Sequence, residues 1–273
     1  MATTDGTSAG DNSPARIRPG SGQPAGDSAP GPAAGHEGGL RVYTRHELLP
    51  RPLSAGALLV DKPPGLTSFG VVRRVRRALG VQKVGHAGTL DPMATGLLVV
   101  LVGREATRLQ DRFMALPKVY TGTLRLGETT PSYDAETPVE VRRDASGVTD
   151  AALEALVPQF TGTLAQRPPA FSAVKVDGVR LYRHAHRGRV AEAAAMAPTR
   201  TVEVYSLAWT ARRGADVDFR VHCSRGTYVR ALARDVGEAL RVGAHLVALR
   251  REAIGPFTAD EAFALDALAP PAP

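Results

Sequence analysis

Val84-Gly85-His86-Ala87-Gly88-Thr89-Leu90-Asp91-Pro92-Met93-Ala94-Thr95-Gly96 is the stretch on which the reading of this chain turns. Three glycines stand within twelve residues around one histidine and one aspartate, and Asp91-Pro92 keeps Asp91 out of the α region, so the segment is a tight, irregular loop and not a helix. It empties into Gly96 to Val102, a continuous apolar run of the kind a buried central strand carries. On the residues alone Asp91 has two readings. It caps a turn, a regular use of Asp before Pro, or it is a carboxylate displayed on a constrained loop above a buried strand, as catalytic groups are.

Upstream, Ala57 to Val60 reads as a strand that leaves into the turn Asp61-Lys62-Pro63-Pro64-Gly65. A helix then starts with Thr67 or Ser68 as N-cap, carries Val71, Val75 and Leu79 on one face, and stops at Gly80. Its other face holds Arg73, Arg74, Arg76 and Arg77, a solvated face or a basic surface beside the loop.

Downstream, Ala106, Leu109, Phe113 and Leu116 follow at helical spacing. Lys118 to Leu126, Val202 to Thr210 and Asp216 to Cys223 alternate with period two, and residues 227 to 240 return to helical spacing through Leu232, Val236 and Leu240. Several strands adjacent in sequence, mixed with helices, argue for an α+β domain and against a doubly wound one. Arg167 to Pro198 fits no core: it holds Pro168-Pro169, a basic series at Arg180, Arg183, Arg187 and Arg189, and an Ala-rich end, which suits a solvated insertion or an RNA-gripping arm.

The 273 residues are 43% hydrophobic and 22% charged, enough for one sizeable core. Lys plus Arg number 34 against 27 Asp plus Glu, a formal net charge of +7, which suits a polyanionic partner because guanidinium groups pair with phosphates bidentately. An Arg-rich coding bias accounts for the same excess. Cys223 is the single cysteine, which excludes an intrachain disulfide and a cysteine-based zinc site and fits a reducing compartment. No run approaches the ~18 apolar residues of a membrane span, and no basic segment followed by an apolar one opens the chain; a cytoplasmic protein is expected. Residues 1 to 40 hold 14 Gly or Pro, with Met1, Ile17 and Leu40 as the large apolar residues, too few to offset ordering entropy.

The quoted loop resembles, without a gap, the catalytic signature of TruB-type pseudouridine synthases, Gly-His-(Thr or Ala)-Gly-(Thr or Ala)-Leu-Asp-Pro-x-Ala-(Thr or Ser)-Gly. Three further segments resemble that family in the same order: Val60 to Ser68, Cys223-Ser224-Arg225-Gly226-Thr227-Tyr228-Val229-Arg230, and Gly243 to Leu246 followed by Leu249-Arg250-Arg251. The resemblance implies a pseudouridine synthase fold: a mixed, mainly antiparallel central sheet flanked by helices and loops, with an RNA-clamping insertion. It implies a catalytic domain over 51–266 with the insertion at about 162–198; composition predicts a disordered Gly/Pro-rich tail over 1–50 and a frayed end at 267–273, both outside the resemblance. No C-terminal PUA-like domain is expected, because the chain ends where that small RNA-binding domain of bacterial relatives would begin.

The same resemblance implies an isomerase that turns uridine 55 in the T-loop of tRNA into pseudouridine without a cofactor or a metal. Asp91 resembles the family's catalytic aspartate, acting as nucleophile or as base on the sugar. Arg230 resembles its basic partner, expected to hold the Asp91 pKa down. Tyr120 resembles the aromatic that stacks on the flipped base and, with Asp91 and Arg230, completes the catalytic set. Tyr228 resembles a second pocket tyrosine, Leu249 the apolar residue closing the pocket, and His86 the histidine that fills the space the base leaves. Lys62 and Asp134 are expected RNA contacts, although Asp134 lies in Thr130-Pro131-Ser132-Tyr133-Asp134-Ala135, where Pro131 stands for the family's first Asp. Phe171-Ser172-Ala173-Val174-Lys175 resembles the start of the clamp, expected to order on binding. The T-stem-loop of tRNA is the implied partner, with no membrane, no obligatory protein partner and a monomeric state. A tRNA-binding or folding protein with secondary catalysis is the alternative, and a synthase guided by small RNAs a third reading.

Overall fold

The computed structural model describes residues 36–176 and 178–268; the expected tail over 1–35 and the end at 269–273 lie outside the described residues. Strands of four or more residues are β1 (Leu40–Tyr43), β2 (Gly56–Lys62), β3 (Val84–Ala87), β4 (Thr95–Val102), β5 (Lys118–Leu126), β6 (Gly162–Gln166), β7 (Arg200–Arg213), β8 (Asp216–Cys223) and β9 (Ala244–Ile254). The helices are α1 (Ser68–Leu79), α2 (Gly103–Arg108), α3 (Gln110–Ala115), α4 (Asp150–Leu156), α5 (Leu181–Ala185), α6 (Val190–Met196) and α7 (Val229–Ala239). All nine strands join one twelve-stranded sheet in the order β1-β2-β4-β9-β5-β8-β7-β6, with β3 paired to β4 and three two-residue strands at its margins. Pairing is mainly antiparallel; β1 runs parallel to β2, and β9 meets β4 in parallel. This is the mixed α+β sheet that the alternating patterns predict.

β4 is apolar on both faces because both are covered. Leu97, Val99 and Leu101 pack with Phe113, Ile254 and Phe257, while Leu98, Val100 and Val102 pack with Val71 and Val75 of α1. Each such side chain contributes about 1.5–3 kcal/mol by leaving water. A further cluster joins β5, β7 and β8 to α7 through Leu124, Trp209, Phe219, Leu232 and Val236, and the Trp209 indole N–H donates to the Leu153 carbonyl at 2.8 Å.

β4 and β9 share only the pairs Arg250↔Thr95 and Arg251↔Gly96 before they part. The loop ending at Gly96 sits at that junction. Gly96 adopts φ +95°, and a Cβ there would collide with the Arg251 carbonyl oxygen; glycine is required on both counts.

Three boundaries differ from the sequence expectation. The tail expected over 1–50 contains β1, in which Leu40, Val42 and Tyr43 are buried against β2, because Leu-x-Val-Tyr supplies an apolar edge that compositional counting dilutes. At the expected frayed end, Leu268 is 1% exposed. The clamp expected to be disordered without RNA is folded: Lys175–Val176 pairs with Val179–Arg180, and α5 and α6 close over a small core of Ala170, Val174, Leu181, Ala185, Ala193 and Ala197. Alanines at close-packing positions make a core that large-residue patterning does not reveal.

Gly237 in α7 abuts the backbone of Gly243 and Ala244, so an added Cβ would meet the Ala244 amide nitrogen. Gly237→Ala should therefore destabilise by roughly 1–3 kcal/mol through overpacking, reversing the ~0.5–1 kcal/mol gain alanine gives in an open helix. Urea denaturation at fixed pH measures the sign; a stabilised variant would contradict this packing.

Candidate active site

Asp91 stands on a loop held from four directions. From the last residue of β2, the Lys62 ammonium donates to the carbonyls of Pro63 (3.0 Å), Leu66 (2.6 Å) and Pro92 (3.0 Å). From the start of α1, which Thr67 caps, the Ser68 hydroxyl donates to the Leu90 carbonyl at 3.0 Å and accepts from the Leu90 amide at 2.8 Å. From β9, the Arg251 guanidinium donates to Leu97 O (2.7 Å) and Gly88 O (3.1 Å). Glu136 accepts the Met93 amide at 2.8 Å. The Asp91 side chain is 33% exposed, so a substrate atom can reach it.

Arg230, second residue of α7 and 5% exposed, clamps the carboxylate at two points. Its Nε lies 2.9 Å from Asp91 Oδ2 and its Nη2 donates to Oδ1 at 3.2 Å. Its remaining donors reach Ser132 O at 3.0 Å and Phe171 O at 2.9 Å, so one guanidinium ties together the catalytic loop, the 130–137 turn, the clamp and α7. Asp134 Oδ2 lies 3.5 Å from the Arg230 Nε. Two carboxylates thus face one cation. Burial pushes the Asp91 carboxyl above the usual carboxylate range; Arg230 opposes this and the Asp134 charge adds to it. The expectation that Arg230 holds the pKa down is corrected accordingly: its pull is present, and desolvation exceeds it.

Tyr120 of β5 and Leu249 of β9 are each 8% exposed and share one apolar cluster with Leu90 and Ala94 of the loop. Tyr228 caps the start of α7 and packs against the small core of the clamp; both of its backbone polar groups are taken by the Gln166 side chain, its amide donating at 2.7 Å and its carbonyl accepting at 3.1 Å. Burial raises the phenol pKa of both tyrosines, and the Asp91 charge adds to it in each. Aromatic and aliphatic walls therefore stand within the field of the carboxylate, as a flat, uncharged base requires. His86 on β3 is held neutral first by burial and then by the Arg251 charge; its Nδ1 is buried without a partner.

Two expected RNA contacts are corrected. Lys62 has no exposed surface and is occupied by three carbonyls; burial lowers its pKa to about 8, against the pull of Asp91. Asp134 is likewise fully buried, its Oδ1 accepting from Ser132 Oγ at 2.5 Å and the Glu136 amide at 3.0 Å. Both hold backbone and turn from within the protein. Sequence reasoning assigned no role to Arg251 or Gln166 and offered Ser68 only as an N-cap candidate, a place Thr67 takes; position in a motif was the available signal for Arg251 and Ser68, and a partner 62 residues away gave none for Gln166. Among the described residues no group of His, Cys, Asp or Glu could hold a metal ion.

A family model described as TruB family pseudouridylate synthase (N terminal domain) matches residues 76–229, and one described as tRNA pseudouridylate synthase B C-terminal domain matches 230–270. Arg230 and Asp91, which contact each other, thus fall in different matches. The chain is similar to the tRNA pseudouridine synthase B of Thermobifida fusca, 50% identical over 225 residues that cover 80% of this chain and 75% of that one. The enzyme of the same name from Rhodococcus jostii is 52% identical, covering 80% and 71%. Among solved structures, chains of an archaeal box H/ACA sRNP Nop10-Cbf5 complex (TM-score 0.57, 30% identity) and of a Cbf5-Nop10-Gar1 complex (TM-score 0.59, 32% identity) resemble 80% of this chain. The match spans about half of each of those chains, 53% and 55%.

Arg251→Met leaves Leu97 O and Gly88 O short of a donor. It should cost roughly 2–4 kcal/mol of stability and lower turnover about 10- to 100-fold by loosening the loop; denaturant melts and single-turnover rates check the two parts. The turnover rate of the unaltered protein should fall on the acid side with an apparent pKa above the ~4 of an ordinary carboxylate, since protonation removes the charge of Asp91.

Proposed function

Since the chain belongs to the TruB family of pseudouridylate synthases, we propose that it isomerises uridine to pseudouridine in tRNA, at position 55 of the T-loop, with Asp91 as the catalytic carboxylate. The observation that carries this reading is the two-point clamp of Asp91 by the buried Arg230, opposite Tyr120, Tyr228 and Leu249. The N1–C1′ bond breaks, the freed uracil turns, and C5 joins C1′ while the C5 proton leaves to solvent and N1 takes one up; atoms balance without any cofactor. Asp91 meets the electron-poor sugar as nucleophile or takes a sugar proton as base. Arg230 fixes the carboxylate's direction and keeps it charged against the desolvation around it.

The uridine must leave its stack, at a cost of a few kcal/mol. Tyr120 offers a stacking face worth about 1–3 kcal/mol, Leu249 and Tyr228 close the pocket, and His86, neutral, fills the gap the base leaves. The catalytic unit extends beyond 51–266 to take in β1 and Leu268, and the segment between Gln166 and Arg200 is the RNA clamp, in reach of the site through Phe171 and Gln166. The enzyme works as a monomer without an obligatory protein partner. A tRNA substrate supports a cytoplasmic location.

Tritium release from [5-³H]uridine-labelled tRNA transcript tests the reading. The unaltered chain should release one tritium per tRNA, and Asp91→Asn should lower the rate by at least about 10³-fold with tRNA binding retained. Activity surviving in Asp91→Asn removes the catalytic assignment; binding without turnover in the unaltered chain would instead favour a tRNA-binding or folding protein.

A further inference from the structure

α1 buries Ser68, Val71, Val72 and Val75 and exposes Phe69, Arg73, Arg74, Arg76 and Arg77. Its first turn is fastened to the catalytic loop through Ser68 and Leu90, so the helix leads away from the site. Its far end at Gly80 turns back through Lys83 into β3, which returns to Gly88. The Lys83 carbonyl accepts the Gly103 amide at 2.7 Å, which sets the start of α2 against the same far end. Arg76, Arg77, Lys83 and Arg104 therefore share one end of this α1-β3-α2 layer, with Arg73 and Arg108 on the way back to the site. β3 rises about 3.3 Å per residue, so Lys83 stands on the order of 15 Å from Gly88.

All seven cations of this layer, Arg73, Arg74, Arg76, Arg77, Lys83, Arg104 and Arg108, are exposed. The carboxylates close by are Glu105 and Asp266; Asp266 lies 3.6 Å from Arg74 and is 97% exposed. Among the described residues no carboxylate is in ion-pair contact with Arg73, Arg76, Arg77, Lys83 or Arg104. Arginines spaced three and four apart on one helix repel each other, and the one ion pair on the helix is that of Arg74 with the exposed Asp266 among the described residues. Phe69, 60% exposed, lies under the Arg73 guanidinium at 5.9 Å at the end nearest the loop, an apolar surface beside a cation such as a ribose or base edge fits.

We propose that this layer is a second RNA-binding surface, continuous with the active site, which grips phosphates of the substrate tRNA outside the nucleotide being modified, with Arg76, Arg77, Lys83 and Arg104 as its distal contacts. It rests on the reading of the chain as a tRNA-modifying enzyme. The contacts are sequence-independent: they add affinity and orientation and leave the chemistry to Asp91.

The test uses the full chain carrying R76Q, R77Q and K83Q together. Affinity for tRNA transcript is measured by fluorescence anisotropy at several salt concentrations, beside steady-state kcat and KM. Each lost phosphate contact removes about 0.7–0.9 from the slope of log affinity against log salt, so the slope should become shallower by about 2, with KM raised roughly tenfold or more and kcat unchanged. R76K with R77K, which keeps the charges, should behave as the unaltered chain, and the single R77Q, whose side chain makes no hydrogen bond or ion pair among the described residues, should lose one contact's share. An unchanged slope and KM in the triple variant, or equal losses in the Lys and Gln variants, would overturn the proposal. An unaltered chain that fails to release tritium, while R76Q/R77Q/K83Q still shows the shallower slope, would overturn the enzymatic reading and keep the surface.

Discussion

The ion pair between Asp91 and Arg230 joins positions 139 residues apart, and most of the architecture serves to let it form. Asp91 needs the Gly-rich loop, the loop needs β4, and Arg230 needs the start of α7 packed over β9 and β5. By itself such a pair does not stabilise a fold: desolvating two charges offsets most of their attraction. Here the guanidinium is buried while a third of the carboxylate stays open to solvent. That asymmetry keeps the anion reachable while its partner cannot wander.

Three buried cations share a second constraint. Lys62, Lys118 and Arg251 are nearly or fully inaccessible, and backbone carbonyls are their hydrogen-bond acceptors. An ammonium surrounded by carbonyls draws the chain inward around itself, so the loops at Pro63–Leu66, Met114–Leu116 and Gly88–Pro92 take their form from a side chain. Irregular backbone of this kind would otherwise leave polar groups without partners. The same burial brings Lys62 and Lys118 to pKa values of about 8, with Arg251 adding to the effect in both.

Much of the fold was legible because local periodicity and burial agreed. α1 runs from its Thr67 cap to Gly80 as the Val71-Val75-Leu79 stripe predicts, and β5 and β8 match their alternating stretches residue for residue. The helical spacing at Ala106, Leu109, Phe113 and Leu116 yields two short helices, because the chain breaks step at Leu109. Asp91 was legible through its company in a motif, since its residue type alone suits a turn equally well. The burial of Lys62 and Asp134 was not legible because charge suggests solvent, and only the packed structure reveals carbonyls and hydroxyls closing over them. Arg251 carried no signal beyond its place after Leu249: its partners at Gly88 and Leu97 lie 163 and 154 residues away.

The clamp leaves the sheet at Gln166 and rejoins it at Arg200, and those two residues face each other across the β6-β7 ladder. Topologically the whole lobe is therefore the loop of one long hairpin at the sheet's edge. Its two stems are already adjacent, so a tight turn could replace it, or a longer lobe extend it, without any strand of the sheet changing register. Size and contents of the lobe are thus free to vary independently of the Asp91 site. Gln166 is where that freedom stops: its side chain holds the backbone of Tyr228, so the last residue before the lobe also sets the first turn of the helix that aims Arg230.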